Sequence, residues 1–166
     1  PTPDQLRRLD PKDREILLKL LSEPLEFVYH QLFDKPLVEE LLYGSKAILL
    51  PRVTHFEESR EHEPVLDEEE TSLTTSQELL LFQRYNYSRM RLGQLLVKYA
   101  GKRMPSSTLR EALAWEHRAI AARGHIVRAN IPLVLAMAKR TRLNGLDFNE
   151  LISEGNFALL RSVNKF

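Results

Sequence analysis

Cysteine is absent from the 166 residues. That absence rules out a disulfide framework, thiolate catalysis and zinc sites built on cysteine, and it suits a reducing cytoplasm. No apolar run reaches the ~18 residues that a membrane helix needs. No signal-peptide pattern opens the chain. A cytoplasmic protein without membrane attachment is therefore expected. GxSxG, P-loop, HExxH and GxGxxG patterns are all missing. The five histidines (His30, His55, His62, His117, His125) show no metal-ligand spacing. No catalytic residue, metal or cofactor is expected, and the chain does not read as an enzyme.

What is present is ordinary for a soluble globular protein, with 43% hydrophobic and 28% charged residues. The length suits one domain, or a small domain with an appendage. The chain opens on Pro1 and closes on Phe166 inside an apparent helix, so both ends read as cuts in a longer protein. The formal net charge of +1 hides strong segregation. Residues 57–70 hold eight acids (Glu57, Glu58, Glu61, Glu63, Asp67, Glu68, Glu69, Glu70) against Arg60, a net of −7. Residues 102–142 hold nine Lys or Arg against Glu111 and Glu116, a net of +7. A basic block of that kind either lies on phosphates or is simply solvated.

Along the chain the pattern is helical, and an all-α bundle is expected. Residues 1–54 read as a mostly helical N-terminal extension, too small to form a large core alone. Asp10 and Pro11 make a helix start, and Pro24 interrupts that helix. A second helix is expected over LEFVYHQLF. A third is expected to start at Asp34 and Pro36 and to end at Gly44. AILLPRV reads as a short strand or extended chain. Residues 55–72 read as an acidic linker.

The signal sharpens over residues 73–166. Thr75 to Glu78 reads as a capping box opening a helix that runs to about Ala100, before Gly101. On a wheel of about 100° per residue, Leu81, Phe82, Tyr85, Leu92, Leu95, Leu96 and Tyr99 share one side. Arg84, Tyr87, Arg91 and Lys98 share the other, a stripe that fits a nucleic-acid strand or a solvated face. Thr108 to Glu111 reads as a second capping box. The helix after it carries Ile120, Gly124, Val127, Ile131, Val134 and Ala138 on one side, and Pro132 is expected to kink or split it. Asn144-Gly145 is a turn signal.

The last helix is expected to start at the N-cap Asp147. Phe148, Leu151, Ile152, Gly155, Leu159, Val163 and Phe166 form its core face. Gly155 there costs about 1 kcal/mol of helix stability relative to Ala, and close approach of another helix explains it. The opposite face mixes Glu150, Ser153, Glu154 and Arg161 with Phe157 and Leu160. An apolar centre with a charged rim is the anatomy of a partner surface, and the acids call for a basic partner. The plainer alternative packs Phe157 and Leu160 on residues 1–54 or on further chain of the same protein.

The stretch HIVRANIPLVLAMAKRTRLNGLDFNELISEGNFALLRSVNKF resembles the second conserved region of bacterial sigma factors of the sigma-70 family. Ala129-Asn130, Leu133-Val134, Ala138-Lys139-Arg140, Gly145-Leu146, Phe148, Leu151-Ile152, Glu154-Gly155-Asn156, Leu159 and Lys165-Phe166 carry the likeness. Ser72 to Glu78 resembles the opening of the preceding region, as found in primary-type factors. The resemblance implies regions 1.2 to 2.2, with the chain stopping before 2.3 and 2.4, and a helical bundle of that type. It implies a transcription initiation factor that docks on core RNA polymerase, on a clamp coiled coil of the largest subunit. Carried over by residue, the docking set is Glu150, Ser153, Glu154, Asn156 and Leu160, and Phe157 lies beside them. In the complete protein it further implies recognition and melting of the promoter −10 element. Arg84, Arg91, Arg128, Asn130, Lys139 and Arg140 are the candidates for flanking DNA contacts. An anti-sigma factor is a further partner class, and the acidic run 57–70 is a candidate cover for the basic block. The sequence departs from the family at Pro132, Ser153 and Phe157-Ala158. The main alternative is a helical adaptor that binds protein and no DNA.

Overall fold

The structure is a computed structural model and describes residues 1–44, 47–50, 73–141 and 147–165. All regular elements among these residues are helices: α1 (Pro3–Arg7), α2 (Pro11–Ser22), a 3-10 turn (Gln31–Asp34), α3 (Val38–Tyr43), α4 (Thr75–Lys98), α5 (Ser106–Thr141) and α6 (Phe148–Val163). The all-α reading of the sequence is thereby met. The acidic linker, the Asn144-Gly145 turn, Arg142 and Phe166 lie outside the described residues.

Local chemistry sets most boundaries. Thr2 and Gln5 form a reciprocal capping box on α1. Asp10 Oδ1 accepts from the Lys12 amide at 2.9 Å, Pro11 fills the first helical position, and α2 runs to Ser22 before Pro24. The α4 box sits one residue earlier than the sequence suggested. Thr74 Oγ1 accepts from the Gln77 amide, and Gln77 Oε1 accepts from the Thr74 amide. Helix α4 ends at Lys98, and Gly101 takes the left-handed φ of 68° that the turn requires. The expected box at Thr108 is not a helix start. Helix α5 begins at Ser106, and Thr108 is buried inside it. Pro132 does not split α5, which is continuous from Ser106 to Thr141.

Two expectations in the N-terminal part fail. LEFVYHQLF forms no regular element over Leu25–His30, and only its end forms the 3-10 turn. Pro24 disfavours helix at its start, and side chains of α4 then take its backbone groups. Asn86 Oδ1 accepts from the Val28 amide at 2.7 Å, and Arg89 Nε donates to the Glu26 carbonyl at 2.7 Å. Helix α3 does not start at Asp34. Its N-cap is Leu37 in a left-handed conformation, φ 63°, and Asp34 instead accepts a hydrogen bond from the Tyr29 hydroxyl. Gly44 does end α3. Ala47–Leu50 forms no strand.

Helix α4 is the spine of the fold. On one side, Leu80, Tyr87 and Leu92 join Leu17, Leu20, Phe33, Val38 and Leu42 from the N-terminal part, and Leu109, Ala112, Leu113 and Trp115 from α5. On another side, Leu81 and Tyr85 join Ala119, Ala122 and Ile126 of α5 and Val163 of α6. The α4 face opposite the expected core is thus not a solvated stripe. Tyr87 is 2% exposed, and the N-terminal helices cover it. The core stripe of the first half of α5 is Ala112, Trp115, Ala119, Ala122 and Ile126, and only Val134 and Ala138 of the expected heptad are fully buried.

Candidate functional site on the last helix

Helix α6 is held at both ends and along one face. Asp147 Oδ1 accepts from the Asn149 amide at 2.9 Å, capping the helix through its second position. At the other end, Asn164 Oδ1 accepts from the Tyr85 hydroxyl at 3.1 Å and from Arg123 Nη1 at 3.4 Å. Between them the helix lies against α5 at very short range. A methyl group at Gly155 would sit 2.5 Å from Val134 Cγ1, a distance no side chain tolerates. The glycine is therefore what lets the two helices approach. Val163 is buried, and Phe148, Leu151, Ile152, Asn156 and Leu159 are half-buried along the same side.

The other side faces solvent. Glu150, Ser153, Glu154 and Arg161 are exposed, Phe157 is 59% exposed and Leu160 is 36% exposed. The described residues of the N-terminal part do not cover this patch. Neither Glu150 nor Glu154 has an ion-pair partner among the described residues. Ser153 Oγ donates to the Asn149 carbonyl at 2.9 Å, so its hydroxyl is turned along the helix. Asn156 stands apart from the rest: it lies on the packed side, and its Oδ1 is buried without a partner. Five of the six expected docking residues therefore share one exposed face, and Asn156 does not.

The candidate nucleic-acid residues are scattered. Arg84 Nε donates to the Leu42 carbonyl at 2.6 Å, with its guanidinium 5.4 Å from the Tyr43 ring. Arg91 pairs with Glu39 and, at 3.8 Å, with Glu111, and it stacks on Trp115. Asn130 Nδ2 donates to the Ile126 carbonyl at 2.9 Å. Arg128, Lys139 and Arg140 are exposed and carry no ion pair among the described residues. Sequence reasoning missed Leu133 and Met137, 57% and 59% exposed one turn apart on α5. Their spacing of four residues, off the core stripe, was the available signal. It also missed Arg118, whose guanidinium lies 4.4 Å from the Trp115 ring and 4.9 Å from that of Tyr43. Burial, together with the charges of Arg128 and Arg84, holds the His125 imidazole below its ordinary pKa.

Among the described residues no helix is long and apolar enough to cross a membrane, and no cluster of His, Asp and Glu is arranged to hold a metal. No family model and no solved structure matches the chain. Curated relatives do. The RNA polymerase principal sigma factor HrdC of Streptomyces coelicolor is 36% identical over 95 residues, which is 57% of this chain and 28% of the relative. The RNA polymerase sigma factor SigA of Mycoplasma genitalium is 49% identical over 41 residues, 25% of this chain and 8% of the relative. The probable RNA polymerase sigma-C factor of Synechocystis sp. is 41% identical over 51 residues, 31% and 13% of the two chains. The chain spans less than a third of the length of these relatives. Taken with the motif that runs through α5 and α6, these partial matches support reading the chain as a fragment similar to the sigma-70 family of RNA polymerase sigma factors.

Proposed function

We propose that α6 is a docking surface for core RNA polymerase, and that the complete protein acts in transcription initiation. The observation that carries this is the exposed pair Phe157 and Leu160 beside the carboxylates of Glu150 and Glu154, which have no ion-pair partner among the described residues. Fully burying a Phe or Leu side chain contributes ~1.5–3 kcal/mol, so an uncovered pair of this kind is a ready binding centre. The acidic rim favours a basic partner and steers its approach. A coiled coil of the largest polymerase subunit, rich in arginine, has the required chemistry. Glu150, Ser153, Glu154, Phe157 and Leu160 form the contact, and Asn156, on the packed side, is not part of it. Arg128, Lys139 and Arg140, all exposed, are the cations left for DNA phosphates. Promoter −10 recognition and melting belong to the complete protein, in the cytoplasm, and an anti-sigma factor would compete for the same α6 face. The role is one of binding, not of catalysis.

The test is a pull-down of the 166-residue chain with purified core RNA polymerase. The wild-type chain is expected to be retained. The Glu154→Arg, Leu160→Ala double change is expected to lower retention at least tenfold, a loss of about 1.4 kcal/mol or more, while the circular dichroism spectrum stays unchanged. Equal retention of the two proteins would remove α6 as the docking element. Retention without any DNA binding by the complete protein would favour the helical adaptor.

A further inference from the structure

A cavity of about 400 Å³ lies where α2, the segment after Pro24, α4 and α5 converge, and no residue of the exposed α6 face lines it. The period of α5 lays out one wall. Glu116, Ile120 and Arg123 stand at i, i+4 and i+7. An acid, an apolar side chain and a cation therefore follow one another over ~10 Å of helix axis. Ile16 and Leu20 of α2, with Leu25, add further apolar lining.

The charges in this cavity are held apart. Arg89 Nε donates to the Glu26 carbonyl at 2.7 Å, and its guanidinium lies 5.6 Å from the Tyr85 ring centroid. Arg123 Nη1 donates to Asn164 Oδ1, which also accepts from the Tyr85 hydroxyl. Neutral groups thus orient both guanidinium groups. Lys19, Glu23 and Glu26 are exposed lining residues. Three cations (Lys19, Arg89, Arg123) and three acids (Glu23, Glu26, Glu116) share the cavity, and none of the six is in an ion pair among the described residues. Glu116 is the least provided for, since its Oε2 is buried without a hydrogen-bond partner. A carboxylate with one oxygen shut off from water has lost part of its hydration, and a cation at the other oxygen offsets that loss.

With equal numbers of both signs, the cavity gives a simple cation or anion no overall advantage. It favours a ligand that carries both charges on an apolar body and presents each end to its opposite. Its volume falls within the ~300–1,000 Å³ of small-molecule sites. A single amino acid holds its ammonium and carboxylate on one carbon, too close together to serve Glu116 and Arg123 at once. Two extended residues cover ~7 Å, and the Glu and Arg side chains reach across the remainder.

We propose that this cavity binds a short zwitterionic peptide with apolar side chains. Its N-terminal ammonium meets Glu116, its side chains lie on Ile120 and Leu20, and its C-terminal carboxylate meets Arg123. The site depends neither on α6 docking nor on promoter binding.

The experiment titrates the 166-residue chain with the dipeptide Leu-Leu by calorimetry at low salt, beside N-acetyl-Leu-Leu and Leu-Leu-amide, each of which lacks one end charge. Leu-Leu is expected to bind in the millimolar range or tighter, and each blocked form about tenfold more weakly or worse. Glu116→Gln is expected to weaken Leu-Leu by about tenfold and to leave the N-acetyl form unchanged, because that form has no ammonium to lose. Arg123→Gln is expected to act in the same way on Leu-Leu and to spare the amide. Glu15→Gln removes a charge from α2 outside the cavity and is expected to change affinity less than twofold. Absence of Leu-Leu binding overturns the site. Equal binding of all three ligands overturns the zwitterion, and it is read on the wild-type chain, so no variant has to fold for it. Loss in Glu15→Gln equal to that in Glu116→Gln overturns the assigned contacts. Failure of the polymerase pull-down leaves these outcomes untouched, because the exposed face of α6 is intact in every protein used.

Discussion

Gly155 and Val134 set the spacing of α5 and α6 between them, and a pair of substitutions tests it. Gly155→Ala gains about 1 kcal/mol of helix propensity. It also drives a methyl group to within 2.5 Å of Val134 Cγ1, and overpacking of that kind costs ~1–3 kcal/mol. The clash wins, so the single change is expected to lower urea-unfolding stability by about 1 kcal/mol. Adding Val134→Ala removes the offending methyl groups. The double variant is expected to be more stable than the two single losses summed, a coupling of ~0.5–2 kcal/mol. Additive losses would show that the helices separate instead of interlocking. The sequence carried this contact openly. A glycine on the core face of an otherwise good helix has few other uses, and the structure supplies the second helix. The same clarity did not extend to Arg84 and Arg91. A helical wheel identifies a second face but not what lies on it, and the groups that hold those arginines, the Leu42 carbonyl and Glu39, are 42 and 52 residues away in the chain.

Elements were legible where local chemistry decided them and illegible where distant groups did. Helices α2, α4 and α6 have side-chain caps and amphipathic patterns, and all three were expected close to where they lie. The box on α4 was misplaced by one residue because Thr74 and Thr75 are equally good caps and only the Gln77 partner separates them. LEFVYHQLF has the spacing of a helix, yet Asn86 and Arg89 take its backbone groups through bonds spanning 58 and 63 residues. No window of local sequence contains that information. For α5 the length prevailed over the proline. Pro132 supplies no amide hydrogen to the Arg128 carbonyl, and an interior proline costs about 3 kcal/mol. The helix nevertheless continues, because Ile126 on one side of it and Val134 and Ala138 on the other are buried in the fold. Pro132→Ala is therefore expected to stabilise the chain by ~1–3 kcal/mol, read as a rise in the urea midpoint without a change in its slope. A lower midpoint would mean that the ring, or a bend it imposes, is needed for the Val134–Gly155 contact.

At the scale of the whole molecule, the N-terminal part is a structural half of the core. The sequence marked residues 1–54 as unable to build a large core alone, and the structure shows how that deficit is met. Leu17 is 1% exposed in a cluster with Tyr87, Leu92 and Trp115, residues that follow it by 70 positions or more. Gln5 Nε2 donates to the Met104 carbonyl at 2.9 Å, and His117 Nε2 lies 2.7 Å from Asp13 Oδ1, so α1 and α2 are also pinned to α5 and the turn before it. Such a shared core should unfold as one unit. Leu17→Ala tests this at a distance. The single tryptophan, Trp115, lies on α5 and reports that helix, while far-UV circular dichroism reports every helix. A buried Leu→Ala change costs ~2–5 kcal/mol. If the core is shared, that loss moves the Trp115 fluorescence midpoint and the dichroism midpoint together by the same amount. If residues 1–50 were an independent appendage, Leu17→Ala would melt α1 to α3 early and leave the Trp115 transition where it was. The expected result is coincident transitions, because removing Leu17 opens a cavity on the same cluster that buries the indole.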